Sequence, residues 1–423
     1  MDRPLRSRPI RIGVAAVALV VGAFYVYAVY SVWRADWLRG QIDLGSLEAS
    51  AHLQPWNAKT QWLLGRYSLN VTQDYVAALT FLQRAVELNP YEGRCWLDLA
   101  EARQVRGETN ESQAALERAL GAEPASAEIA WEAANSYLVH NNIERALPLL
   151  RAAIQYDANN TAPAIDLSWR ATKNVGQIVS RVLPAQPQAY FSFLKILTAR
   201  NQSSAANELW HDLIAQGFRF PVEEAFPYFD YLIRDQQIDQ ASRVWTDLSK
   251  IHPEARDDIA SNLVRNGGFE AEFLNGGFDW RRDPTGQINV SLDTSELHSG
   301  ARSLRIEFTG PAVSDVGVYE LIPVQPNTAY RLSAFVKTAD VTSASGPRLA
   351  IEESSTRKML GTTDEFLETS SWMQRTAVFV TGTETRLLTL RILRIPGNPL
   401  IKGTLWLDDI ELTPVSSVQR ANP

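Results

Sequence analysis

Five histidines, one cysteine and two pairs of adjacent carboxylates are the side chains of this 423-residue chain best suited to covalent or metal chemistry. The histidines are His52, His140, His211, His252 and His298. They show no metalloprotease spacing, and no His-x-Glu with Cys-x-x-Cys accompanies them. Glu352-Glu353 and Asp408-Asp409 sit in stretches that read as strands. Successive side chains there point to opposite faces, so neither pair is a natural acid–base couple. No Gly-x-Ser-x-Gly elbow occurs. Asn266-Gly-Gly and Asn275-Gly-Gly are followed by neither a phosphate-loop lysine nor a helix, and they read as turns. Cys95, beside Trp96, has no partner for a disulfide and reads as a small buried residue. The expectation is a protein that binds rather than catalyses, with no cofactor required.

Length predicts two or three compact units. The chain is 45% hydrophobic and 21% charged, ordinary globular values. A net charge of −7 and the lack of a long Lys/Arg run give no reason to expect nucleic acid as a partner.

Ile12 to Val32 contains no charged residue, and as a helix it spans about 30 Å, the thickness of a bilayer core. Arg3, Arg6, Arg8 and Arg11 precede it. Tyr25, Tyr27, Tyr30, Trp33 and Trp37 crowd its far end, as interfacial aromatics do. The charge bias puts a tail of residues 1–11 in the cytoplasm and a single anchor at residues 12–33, with the bulk of the chain across the membrane. A cleaved signal peptide is the rival reading. The apolar stretch is longer than a usual signal core, and no clean small-x-small site follows it, which favours the uncleaved anchor.

Beyond the anchor, matched residues recur every 34 positions: Ala78, Ser112 and Ala146; Leu82, Leu116 and Leu150; Ala85, Ala119 and Ala153; Pro90 and Pro124. This pattern divides residues 58–90, 91–124 and 125–158 into units, with Trp62 and Trp96 one period apart. It resembles the tetratricopeptide-repeat family, whose units place an aromatic early in the first helix, small residues at two places in the second, and a closing proline. The match is good for the second helix. In the first helix Leu64 and Gly65 stand one place early, and Ala130 occupies the aromatic position of the third unit.

A further period of 35 matches Phe191, Phe193, Leu194 and Leu197 with Phe226, Tyr228, Phe229 and Leu232, and Trp210 with Trp245. Two more helical hairpins are expected over residues 186–251, with a degenerate one over 160–185, so that the helical array covers 44–260. The family resemblance implies that first helices line a concave face. Leu63, Leu97 and Trp131, then Tyr67, Glu101 and Asn135, with Asn70 and Gln104 nearby, would form a partner groove. The places where some family members carry a Lys/Asn clamp for acidic tails hold Leu and Tyr in the first unit. A mixed apolar and polar groove suits an extended segment or helix of another protein.

The character of the sequence changes at Ser261. Alternating apolar residues read as strands over Ser303–Phe308, Tyr330–Lys337, Arg375–Val380, Leu387–Ile392 and Leu405–Leu412, which predicts an antiparallel β-sandwich over 261–415 and a tail over 416–423. The motifs Asn262–Glu270, His298–Leu304, Val324–Tyr330 and Trp406–Ile410 together resemble the galactose-binding-like jelly rolls of carbohydrate-binding modules. That resemblance implies a structural calcium between the first and last strands, held here by Glu270 with Asp408 or Asp409 and by carbonyls near Ser299 and Gly300. Alternation puts Asp408 on the side of Trp406 and Ile410, where a carboxylate needs a partner or a metal. It also implies glycan binding, which needs exposed aromatic platforms. Trp280, Tyr319 and Trp372 are the candidates, with Arg391 or Asn398 as hydrogen-bonding groups.

The expected protein is thus multidomain, α plus β: one transmembrane helix, a tetratricopeptide-type solenoid and a terminal jelly roll. By analogy it stands in the bacterial inner membrane facing the periplasm, as a scaffold for envelope protein partners in polysaccharide assembly, or as a glycan binder whose repeats recruit an enzyme.

Overall fold

The computed structural model describes residues 8–255, 262–283 and 288–415. Most of the expected cytoplasmic tail, the carboxyl-terminal tail and Ser261 lie outside the described residues. By compactness the chain divides into two units, Met1–Ile196 and Leu197–Pro423.

The first unit is helical. α1 (Arg8–Arg39) is long and apolar enough from Arg11 onward to cross a membrane. Its last turns pack against the protein. Ala35 and Leu38 are buried at 0% and 8% exposure, and the Ser50 hydroxyl in α2 (Leu44–Leu53) donates to the Ala35 carbonyl at 2.9 Å. Three hairpins follow: α3 (Ala58–Tyr67) with α4 (Tyr75–Leu88), α5 (Gly93–Val105) with α6 (Thr109–Ala122), and α7 (Ala127–Val139) with α8 (Ile143–Tyr156). Asn57, Asp74, Ser126 and Asn142 cap helix starts through their side chains. The small columns are what lets the helices close up. Ala78, Ala146, Ala85, Ala119 and Ala153 are fully buried, and the Ser112 hydroxyl donates to the Ala100 carbonyl at 2.8 Å. A Cβ on Gly65 would lie 2.5 Å from Leu82 Cγ.

The first hairpin is one residue longer than the others before its second helix begins. Second helices start at 75, 109 and 143, but first helices start at 58, 93 and 127. A π-helical segment, Ser68–Thr72, extends α3 and takes up the extra residue. This is why Leu64 and Gly65 stand early in the repeat pattern. The degenerate hairpin is α9 (Thr161–Thr172) and α10 (Val175–Arg181), and α11 (Pro187–Ala199) runs across the division between the units.

The second unit combines helices with a β-sandwich. α12 (Ser203–Ala215), α13 (Phe226–Arg234) and α14 (Ile238–Ile251) precede the strands β1 (Arg281–Arg282), β2 (Ile288–Asp293), β3 (Ser303–Ala312), β4 (Asp315–Pro323), β5 (Ala329–Thr342), β6 (Pro347–Glu353), β7 (Met359–Thr362), β8 (Glu368–Val380), β9 (Leu387–Arg394) and β10 (Leu400–Pro414). Two antiparallel five-stranded sheets result, β1-β4-β9-β6-β7 and β2-β3-β10-β5-β8. Leu304, Ile306, Leu332, Leu390, Leu405 and Leu407 fill the space between them. The turn at Asn275-Gly276-Gly277 presses against α13 and α14. Phe278 packs edge-on to Phe229 at 4.7 Å between ring centroids and meets Trp245 at 6.1 Å. A Cβ on Gly276 would meet Phe226 at 2.1 Å, so this contact needs glycine.

Candidate functional site

The first helices of the three repeats enclose a groove of about 570 Å³. Leu97, Glu101, Gln104 and Asn135, four of the residues named from the sequence, are among those that line it. In the first repeat the lining residues are Trp62 and Arg66, not Leu63 and Tyr67. The one-residue offset of α3 is the cause, since Trp62 and Arg66 lie 35 positions before Leu97 and Glu101 rather than 34. Asn70 falls in the π-helical segment and does not line the groove. Trp131 is half-buried and is also absent from the lining.

Sequence reasoning passed over one lining side chain with a strongly shifted carboxyl, Asp98. Its carboxylate accepts the Trp62 indole N–H, and Arg66 stands 3.6 Å away with its guanidinium 5.1 Å from the Trp62 ring centroid. Burial pushes the Asp98 carboxyl up to about 6. The Trp62 hydrogen bond and Arg66 oppose the shift, and Glu101 adds to it. Glu132, further along the same wall, is also raised, by burial and then by Glu128 and Glu101. Arg94 pairs with Glu128. The early position of Gly65 was the signal in the sequence that these residues face the groove.

On the sandwich the proposed glycan residues separate. Trp280 is no platform: it is fully buried beside Phe269 and its indole donates to the Arg265 carbonyl at 2.8 Å. It packs into the core of the sandwich instead. Trp372 is half-buried on the other sheet from Tyr319, at 5.8 Å and edge-on to His298. Tyr319 and Arg391 do come together. Register pairs Arg281, Tyr319, Arg391, Ala350 and Thr362 in one row across the first sheet, on its outward face. The Arg391 guanidinium lies 5.5 Å from the Tyr319 ring centroid and is held by Asp315 and, at 3.8 Å, Glu352. Asn398 is exposed in the loop after β9.

Glu270, Asp408 and Asp409 also gather, around Gly268 and beneath the loop at 298–302. Their oxygens are engaged by that loop. Asp408 Oδ2 accepts the backbone N–H of His298 at 2.8 Å and of Ser299 at 3.1 Å, and its Oδ1 accepts the Asp409 N–H at 2.8 Å. Glu270 accepts the N–H of Ala301 at 2.8 Å. Asp409 takes the Ser299 hydroxyl at 2.7 Å and meets His298 Nδ1 at 2.6 Å. The His298 ring in turn stacks on Phe335 at 3.5 Å. Burial raises the Asp408 carboxyl, with the backbone N–H groups acting against it. Calcium needs six to eight oxygens, and among the described residues no group of three or more His, Cys, Asp or Glu side chains converges closely enough to hold a metal ion. As arranged, the three carboxylates form a hydrogen-bonded clamp on the loop.

Residues 261–393 match the family of a carbohydrate binding domain, and residues 72–132 match that of a tetratricopeptide repeat. No curated protein matches the chain. A solved CBM4 structure is similar over 36% of this chain and 99% of its own, with 13% identity and a TM-score of 0.28. The structure of Pseudomonas aeruginosa pilF is similar over 46% of this chain and 92% of its own, with 18% identity and a TM-score of 0.27. YrrB, described as a TPR protein with an unusual peptide-binding site, is similar over 50% of this chain and 94% of its own, with 14% identity and a TM-score of 0.27. The families matched are binding modules of two kinds, one for protein and one for carbohydrate.

Proposed function

We propose that this chain, which joins tetratricopeptide repeats to a domain of carbohydrate-binding type, is a membrane-anchored scaffold that holds a protein partner in its repeat groove outside the cytoplasm. The observation that carries the reading is the groove itself: one concavity shared by three successive first helices, with apolar and charged side chains interleaved. An uncleaved anchor is supported by the burial of Ala35 and Leu38, because the apolar helix and the first layer of the repeats are one continuous element. The pairing of a protein-binding and a carbohydrate-binding module with an apolar helix is what supports an envelope setting and a part in polysaccharide assembly. A photo-crosslinking amino acid at Gln104, introduced in living cells, tests the scaffold. One discrete adduct is expected, and the absence of any adduct removes the reading. Intact mass of the purified protein tests the anchor: loss of the first thirty or so residues would make α1 a signal peptide.

A second reading, glycan binding by the sandwich, is favoured by the Tyr319–Arg391 row, an aromatic ring with polar neighbours on an outward sheet face. Retardation of the protein in gels containing soluble xylan or β-glucan, abolished by Tyr319→Ala, would support it. Equal mobility with and without glycan would count against it.

A further inference from the structure

The charges along the groove are unbalanced, and the imbalance sits in one place. Arg94 is taken by Glu128, and Arg66 by Asp98 and the Trp62 ring. Glu101 and Glu132 remain with no basic partner among the described residues, both exposed and both lining the same concavity. The Glu132 carboxyl is raised by burial and then by the neighbouring Glu128 and Glu101, a field that a cation placed in the groove relieves. Apolar surface flanks them on the same wall. Val139 is 82% exposed and Val105 is 51% exposed, although each closes a first helix whose other apolar residues are mostly covered. Valines left in water beside unpaired acids are the lining expected of a site for a long side chain with an apolar stem and a positive head.

Resting on the groove reading above, we propose that the groove takes a cationic segment of its protein partner, with a Lys or Arg head between Glu101 and Glu132 and its stem, or a neighbouring aliphatic side chain, along Val105 and Val139. An acidic tail is disfavoured by the same charges, since like charges brought together in a groove cost binding energy. The site therefore selects the opposite ligand from a Lys/Asn clamp.

Full-length protein in detergent micelles is to be applied to an array of short synthetic peptides with matched apolar content and lysine, serine or glutamate at the variable positions. Retention of lysine peptides about tenfold above the others is expected, weakening as salt rises. The double variant Glu101→Gln/Glu132→Gln, whose exposed positions spare the fold, should lose that preference while melting at the parent temperature. Retention without charge preference, preference for glutamate peptides, or an unchanged preference in the double variant each overturns the proposal and leaves a groove of other specificity. No retention of any peptide removes the groove reading together with it.

Discussion

The Trp62 indole donates to the Asp98 carboxylate across 36 positions of sequence and joins the first helices of two consecutive repeats at the groove. Asp98 is held at about 6 against an ordinary 3.8, chiefly by burial. The folded chain therefore keeps a proton there, between those values, that the unfolded chain has lost. That contribution to stability is complete below 3.8 and is lost as pH rises through 6. Asp98→Asn keeps an acceptor for the indole and removes the titration. Thermal unfolding of the variant should vary less across this pH window than that of the parent, and its Tm at neutral pH should be higher. A lower Tm at neutral pH would mean that the ionised carboxylate is worth more to Arg66 than its burial costs.

Gly277 stands at φ +62, and a Cβ there would meet Trp245 at 1.8 Å. Gly277→Ala should destabilise the chain by about 2–4 kcal/mol, through backbone strain and overpacking together. The same substitution at Gly217 (φ +67, with nothing within 4 Å) should cost less, because only the backbone term remains. Denaturant melts of the two variants compare the terms. Equal losses would show that the fit of the turn against Trp245 adds nothing.

The clamp on the loop at 298–302 predicts two results. His298→Ala removes both the contact with Asp409 and the stack on Phe335, and should lower stability by about 1.5–3 kcal/mol. Chelator should leave the Tm of the parent protein unchanged. A fall with EDTA that calcium restores would return the metal to Glu270, Asp408 and Asp409.

Arg394 is buried and donates to the carbonyls of Ser345 at 3.0 Å, Val313 at 2.8 Å and Pro399 at 2.9 Å, and to the Ser343 hydroxyl at 2.7 Å. Arg394→Met leaves these acceptors without their donor and should cost about 3 kcal/mol or more in a denaturant titration. A loss within about 0.5 kcal/mol, the scale of an ordinary surface change, would mean that water replaces the guanidinium.

Periodicity alone determined the repeats, because a stacked hairpin buries the same positions every time. Ala78, Leu82 and Ala85 are as fully buried as the 34-residue columns require. Apolar patterning also determined the apolar helix and five strands. The strands it left out include β4, whose turn-forming Asp315 and Gly317 interrupt the pattern, and β6, which opens on a proline. The groove could be read only within one residue, since a π-helical segment rotates α3 about its axis without changing the count of its buried columns. That rotation brought Trp62 to Asp98 and took Leu63 and Tyr67 off the groove. Tertiary structure alone decided the fate of the aromatics on the sandwich. Trp280 and Tyr319 are equally plausible platforms as letters; Trp280, just before β1, turns into the core, whereas Tyr319 in β4 alternates away from the buried Val318 and Glu320. It alone decided the use of the three carboxylates as well. Whether Glu270 and Asp408 meet a cation or a row of backbone N–H groups depends on how a loop more than a hundred residues from Asp408 in sequence folds across them.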